Sequence, residues 1–152
     1  GKGYAVDRMV KYLENFENFC INAGGDIYAQ GNEVDYKPWR IVFENPLKND
    51  EAIGFVDVDN LALASSNPSR RKWKDKHHLV DPLKGVPASE MLAVYTQAKT
   101  LMMADGFSTA LFVMGYAKAT ACLEDLPVEA MLVGPGGEIS LSPGFSGELF
   151  VK

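Results

Sequence analysis

The sequence predicts an α+β domain: an antiparallel β-sheet of six to eight strands with two main helices packed on it. Three observations carry that reading. Apolar residues recur at helical spacing in two runs, 4–13 and 101–115. Trp39, Ile41 and Phe43 alternate with Arg40, Val42 and Glu44, the period of a strand in an antiparallel sheet. Short β-prone runs broken by turn residues fill most of the rest, with no repeat and no low-complexity segment.

In the first helix Tyr4, Val6, Met9, Val10 and Leu13 fall at helical spacing, with Asp7, Arg8, Lys11 and Glu14 on the other side. It ends in an asparagine-rich patch at 15–18. Phe19-Cys20-Ile21-Asn22 is short, apolar and β-prone, and is expected as a central strand. A glycine pair follows in Ala23-Gly24-Gly25-Asp26, and Ile27-Tyr28-Ala29 continues extended to a turn at Gly31-Asn32. The alternating strand then ends at Asn45-Pro46.

Residues 53–58 and 61–64 are expected to form a hairpin turning at Asp59-Asn60. Ser65-Ser66-Asn67-Pro68 and the basic run Arg70-Arg71-Lys72-Trp73-Lys74 read as a surface loop. After His77-His78-Leu79-Val80-Asp81-Pro82 and a turn through Gly85 and Pro87, residues 92–96 make another strand. A shorter helix is expected over 117–123, a closing hairpin from 128–133 and 138–141, and a last strand over 148–151.

At 152 residues the chain is expected to fold as one domain, able to bury about two-thirds of its unfolded surface. Its net charge of −5 argues against a nucleic-acid or anionic-membrane partner. No apolar run is long enough to span a membrane. Cys20 and Cys122 read as buried hydrophobes and set no disulfide framework. The chain opens Gly1-Lys2-Gly3-Tyr4 with neither an initiator methionine nor a secretory peptide, which suggests processing or a cut from something longer.

Four polar clusters start or end regular elements. Gly1-Lys2-Gly3 precedes a helix, where glycines admit a phosphate or metal to the backbone and the helix N-terminus favours an anion; a tight turn explains the same pattern. Asn22-Ala23-Gly24-Gly25-Asp26 permits close backbone contact with a ligand, or makes an ordinary turn or bulge. His77-His78 with Asp81-Pro82 offers a general base near a carboxylate, or a surface loop in which Asp81 sets up the turn before Gly85.

The fourth cluster is Asp105 with Thr109, in a helix apolar almost throughout: Met102, Met103, Phe107, Leu111, Phe112 and Met114 surround them. A buried carboxylate there needs a partner. Residues four apart on a helix lie about 40° apart and roughly 6 Å along the axis, so the pair offers two hard oxygens to one cation, suiting Mg²⁺ better than Zn²⁺. The other reading has Thr109 bonding back to the Asp105 carbonyl while Asp105 faces water. There is no zinc spacing and no nucleophile elbow.

Together these clusters resemble, in order and spacing, the motifs of the ApbE family, the FAD:protein FMN transferases. The residues are Gly1-Lys2-Gly3-Tyr4-Ala5-Val6-Asp7, Asn22 to Asp26, His78-Leu79-Val80-Asp81-Pro82 with Gly85 and Pro87, and Ala104-Asp105 with Ser108-Thr109-Ala110-Leu111-Phe112-Val113 to Gly115. The resemblance covers nearly all of residues 1–152 and implies a single ApbE-like, T-fold-like domain.

It also implies FAD and Mg²⁺ as cofactors, with FMN transferred to a threonine or serine of an acceptor redox flavoprotein and AMP released. The metal is expected on Asp105, Thr109 and the backbone carbonyl of Gly1. Lys2, Gly3, Asp7, Gly24, Gly25, Asp26, His78 and Leu79 are expected at the flavin nucleotide, and His78, Asp81 and Asp105 in catalysis, with His78 the candidate proton acceptor. The family location is extracytoplasmic, in the periplasm.

Against the family pattern, this chain begins inside the first motif and lacks the upstream part that supplies an aromatic residue to the flavin ring. Lys84 replaces the threonine before the motif glycine, and Asn67 replaces the glycine after Ser65-Ser66. The metal and phosphate end is therefore expected to be retained and the flavin-ring end open, with apolar surface that favours a homo-oligomer or partner binding. The alternative activities are a Mg²⁺-dependent FAD pyrophosphatase giving FMN and AMP, and a domain that binds a flavin nucleotide or partner without catalysis.

Overall fold

The computed structural model describes every residue except Asn49, Arg70, Asp75, Val151 and Lys152. Helix α1 (Lys2–Leu13) leads to β1 (Phe19–Asn22) and β2 (Ile27–Gln30), then β3 (Trp39–Glu44), β4 (Ala52–Val58) and β5 (Leu61–Ser66). Four two-residue strands follow, β6 (Lys72–Trp73), β7 (Lys76–His77), β8 (Val80–Asp81) and β9 (Val86–Pro87). Strand β10 (Ala93–Ala98) precedes α2 (Leu101–Met114) and α3 (Tyr116–Ala121), and β11 (Glu129–Val133), β12 (Ile139–Leu141) and β13 (Glu148–Leu149) close the order.

The main sheet is antiparallel, with six strands in the order β1-β2-β5-β10-β11-β12; a separate sheet runs β13-β4-β3. Alternation along the inner strands sorts their side chains into two faces. Leu63, Tyr95 and Met131 pack with Phe43, Val56 and Val58 of the smaller sheet. Ala62, Ala64, Val94 and Leu132, the intervening positions, pack with Val6 of α1 and with Leu101, Leu111 and Phe112 of α2. The result is three layers: helices, main sheet, small sheet. A strand covered on both faces carries no polar-out pattern, which is why β10 is buried at all six positions, Thr96 and Gln97 included.

Several expectations change. The run 19–22 is an edge strand, paired among the described residues with β2 alone and not fully buried at any position, because β10 lies nearer the centre. The hairpin expected at Asp59-Asn60 does not form: β4 and β5 belong to different sheets. The turn is nonetheless tight, with Asn60 at φ 51° and Asp59 accepting from the Gly31 amide at 2.6 Å, and it carries the chain from one layer to the next. In the basic run, Lys72 and Trp73 pair with His77 and Lys76 as a small ladder in which Lys72, Trp73 and Lys76 are exposed and His77 is buried, while Arg70 lies outside the described residues.

The shorter helix is α3 followed by a 3₁₀ turn at Leu123–Asp125, and β13 ends at Leu149. The expected strand over 148–151 extends to Val151, which lies outside the described residues. Cys20 and Cys122 are free thiols, partly rather than fully buried. Among the described residues no helix is long and apolar enough to cross a membrane.

Candidate functional site

The first two elements of the site are the two long helices, which cap each other. Both Asp7 oxygens accept from the first amides of α2, Leu101 at 2.7 Å and Met102 at 2.9 Å, and Thr100 accepts from Met103 at 3.4 Å. In return Asp105 Oδ2 accepts from the Gly3 amide at the start of α1, at 3.0 Å. Each helix thus supplies a carboxylate to the orphan donors and positive dipole end of the other. Gly3 permits the approach, since a Cβ there would stand 2.4 Å from the Leu101 carbonyl oxygen. That glycine lets the two helices approach closely.

Helix α2 is not buried all round. Leu101, Ala104, Ser108, Leu111 and Phe112 face inward, whereas Met102 and Met114 are exposed. Asp105 is half-buried and Thr109 exposed, so the carboxylate is less enclosed than its apolar sequence neighbours suggested. Ser108, not Thr109, bonds back to the Asp105 carbonyl, at 3.0 Å. Thr109 Oγ1 instead meets Ser66 Oγ at 3.3 Å.

Asp105 and Thr109 open onto a cavity of about 880 Å³. Lys2 of α1, Gly24 and Gly25 of the β1–β2 turn, and His78 and Leu79 line it as well. Gly24 and Gly25 stand at φ 71° and 98°, the left-handed region, with Asn22 Oδ1 accepting from the Gly25 amide at 2.9 Å. Asp26 lies below them, 1% exposed, its carboxylate 2.7 Å from the Lys2 ammonium. Burial pushes its pKa up, against the pull of Lys2, and the nearby Asp105 charge adds to the rise.

The adjacent histidines do different work. His77 is buried: its Nδ1 accepts from the Leu79 amide at 3.2 Å, so Nε2 carries the proton donated to the Ala88 carbonyl at 2.9 Å. His78 lies at the cavity, and its pKa is lowered chiefly by desolvation. A hydrogen bond with the Arg71 backbone opposes that shift, and the charges of Arg71, His77 and Lys2 reinforce it. Asp81 is turned into its own loop: Oδ1 accepts from Leu83 at 2.9 Å and Lys84 at 3.3 Å, and Lys84 Nζ stands 3.5 Å from Oδ2. Those backbone bonds hold its pKa below the usual carboxylate range.

Of the sequence candidates, Lys2, Gly24, Gly25, His78, Leu79, Asp105 and Thr109 meet at the cavity. Gly1, Gly3, Asp7, Asp26 and Asp81 are not among its lining residues: Gly3 and Asp26 contact the lining residues Asp105 and Lys2, Asp7 caps α2, and Asp81 bonds within its own loop. The Gly1 carbonyl accepts from Ala5 at 3.2 Å and keeps a second lone pair. Sequence reasoning missed Ser65 and Ser66, Arg71 and the whole edge of β3 from Arg40 to Glu44, all of which line the cavity. The switch from alternating leucine and alanine to paired serines at the end of β5 was the signal for the first two.

The donors fit a hard cation. Asp105 and Thr109 present oxygen only, and among the described residues no three His, Cys, Asp or Glu side chains gather into a metal cage. Mg²⁺ is commonly held in this way, by one or two protein oxygens with water and phosphate completing its shell.

The ApbE family model matches residues 1–132. The FAD:protein FMN transferase of Haemophilus influenzae is 36% identical over 132 residues, covering 81% of this chain and 38% of the relative. That of Vibrio cholerae is 29% identical over 140 residues, covering 87% and 42%. Among solved structures, the ApbE protein of Thermotoga maritima superposes with a TM-score of 0.82 at 30% identity, covering 93% of this chain and 49% of that one. The flavin transferase ApbE of Vibrio cholerae gives 0.82 at 28%, covering 95% and 49%. The chain therefore spans about two-fifths to one half of the length of these relatives. With the fold, the motif positions and the family-model match in agreement, the chain belongs to the ApbE family.

Proposed function

We propose that residues 1–152 form one domain carrying the metal- and phosphate-handling end of a FAD:protein FMN transferase. The observation that carries this reading is the convergence of Asp105, Thr109, Lys2 and His78 on one cavity. The names of the relatives support it. In the reaction, a threonine or serine hydroxyl of an acceptor flavoprotein attacks the FMN phosphorus of FAD. A new P–O bond forms, the pyrophosphate bond to AMP breaks, and AMP leaves.

Asp105 and Thr109 would hold Mg²⁺, with the Gly1 carbonyl as a third oxygen. Bound there, the ion supplies charge neutralisation at the pyrophosphate oxygens. Lys2, tethered to Asp26, adds a fixed positive charge beside the same phosphates. Gly24 and Gly25 let the nucleotide approach the backbone closely. His78 accepts the proton of the incoming hydroxyl, and its lowered pKa keeps the imidazole neutral for that task. Asp81 and His77 position His78 by fixing the turns on either side of it. An extracytoplasmic location belongs to the same reading and is checked by cell fractionation.

The test is calorimetric titration with FAD, with and without Mg²⁺ and with an acceptor flavoprotein, followed by chromatography for AMP. Mg²⁺-dependent AMP release with flavin fixed to the acceptor is expected, and Asp105→Ala abolishes it. An unchanged rate in that variant sinks the metal assignment. Free FMN released without acceptor identifies a pyrophosphatase, and FAD binding without AMP identifies a non-catalytic binding domain.

A further inference from the structure

We propose that Ser66 is a positioning residue that fixes the hydroxyl polarity of Thr109, so that Thr109 offers lone pairs rather than a proton to the metal position. The inference rests on the reading of Asp105 and Thr109 as a cation site. It follows from counting protons along a chain of four oxygens at the junction of β5 and α2.

Strand β5 sends Ala62 and Ala64 toward the helices, and Ser66 continues that row, 6% exposed, where the sheet meets α2. Its Oγ stands 3.0 Å from Ser108 Oγ and 3.3 Å from Thr109 Oγ1. Ser108 Oγ also lies 3.0 Å from the Asp105 carbonyl oxygen. Each hydroxyl has one proton to donate, and a carbonyl has none.

The direction is therefore determined from the carbonyl end. Ser108 must donate to the Asp105 carbonyl, so it has nothing left for Ser66. A hydrogen bond between the two serines then requires Ser66 to donate to Ser108. Ser66 has now spent its proton, and the contact with Thr109 requires Thr109 to donate to Ser66. The order is Thr109 to Ser66 to Ser108 to the Asp105 carbonyl.

The consequence lies at Thr109. With its proton drawn toward the buried Ser66, its lone pairs are left for the cavity it lines. A neutral hydroxyl binds a cation only through a lone pair, so this polarity is the one a metal ligand needs. The chain also begins on the carbonyl of Asp105, the other ligand residue, and so ties both to one hydrogen-bond network. Outer partners of this kind typically alter metal affinity about 10- to 100-fold when removed.

The test is Mn²⁺ binding by the whole chain, followed by electron paramagnetic resonance without FAD, together with thermal melts. Ser66→Ala is expected to weaken Mn²⁺ binding about 10-fold, and Ser66→Thr, which keeps the hydroxyl, to restore it. Thr109→Val weakens binding directly, and adding Ser66→Ala to Thr109→Val is expected to cost nothing more. Should Ser66→Ala fail to fold, Ser108→Ala interrupts the chain from its other side and is expected to show the same loss and the same non-additivity. Equal losses with and without the Thr109 hydroxyl, or unchanged affinity in the serine variants, overturn the proposal while leaving the cation site standing. Absence of Mn²⁺ binding by the unaltered chain overturns the cation site, and the proposal falls with it.

Discussion

His77 and His78 are neighbours in the chain with opposite surroundings, and the difference sets what each is able to do. His77 has both nitrogens engaged by backbone and its ring edge-on to Phe112 at 6.0 Å, so it organises the loop. His78 stands at the cavity with its pKa lowered from 6.5, first by desolvation. The sign follows directly. A base is active when neutral, and a depressed pKa extends the neutral range downward. For the proposed FMN transfer with His78 as proton acceptor, the rate of AMP release is thus expected to fall only as pH drops through a value below 6.5, and a pH–rate profile measures that acid limb. Replacing His78 by alanine is expected to slow the reaction by about 10²- to 10⁴-fold while leaving the melting temperature nearly unchanged.

At the scale of elements, the reciprocal capping of α1 and α2 joins the first and second halves of the sequence at the site. Gly3 is the contact point, with the Leu101 carbonyl where a side chain would stand. Gly3→Ala is expected to push the helices apart, destabilise the fold by about 1–3 kcal/mol in denaturant unfolding, and lose the Asp105 hydrogen bond. Asp7 is a cap by geometry: Asp7→Ala removes the partner of two α2 amides, and about 0.5–2 kcal/mol of stability is expected to go with it. A stability loss in Asp7→Ala with Mn²⁺ affinity retained distinguishes this capping from direct ligand contact. The hairpin expected across Asp59-Asn60 fails for a reason at the same scale. Two strands and a tight turn do not specify pairing when each strand has a better-matched neighbour elsewhere, β3 for one and β2 and β10 for the other.

Across the whole molecule, the cavity exists because the small sheet is held over the main one with β3 at its edge. Phe43, 1% exposed, is the pin between the layers, its ring 5.3 Å from that of Tyr95 and 5.6 Å from that of Phe145. The Tyr95 hydroxyl donates to the Glu44 carbonyl beside it. Phe43→Ala is expected to cost about 3–5 kcal/mol in denaturant unfolding and to weaken nucleotide binding by loosening one wall of the site. An unfolding midpoint equal to that of the unaltered protein would show that the layers are held by other contacts.

Periodicity alone determined both helices, most strands and the α+β class, because helical and extended spacing are local properties of the chain. The motif residues at Lys2, Gly24, Gly25, His78, Asp105 and Thr109 were legible by another route, the order and spacing that resemble the family's motifs; Asp105 and Thr109 lie within α2, the others at the ends of elements or in turns. The depth of each strand and the sheet it joins were not. Phe19 to Asn22 is as apolar as a central strand yet lies at an edge, and Thr96 and Gln97 are polar yet buried at the centre. Only tertiary structure decided that Asp7 caps a helix, that Asp81 serves its own turn, and that Ser66 reaches Thr109 across 43 residues of sequence. Those assignments depend on which side-chain oxygens come within 3 Å or so of which donors. That distance is set by packing between elements remote in the chain, on which local spacing is silent.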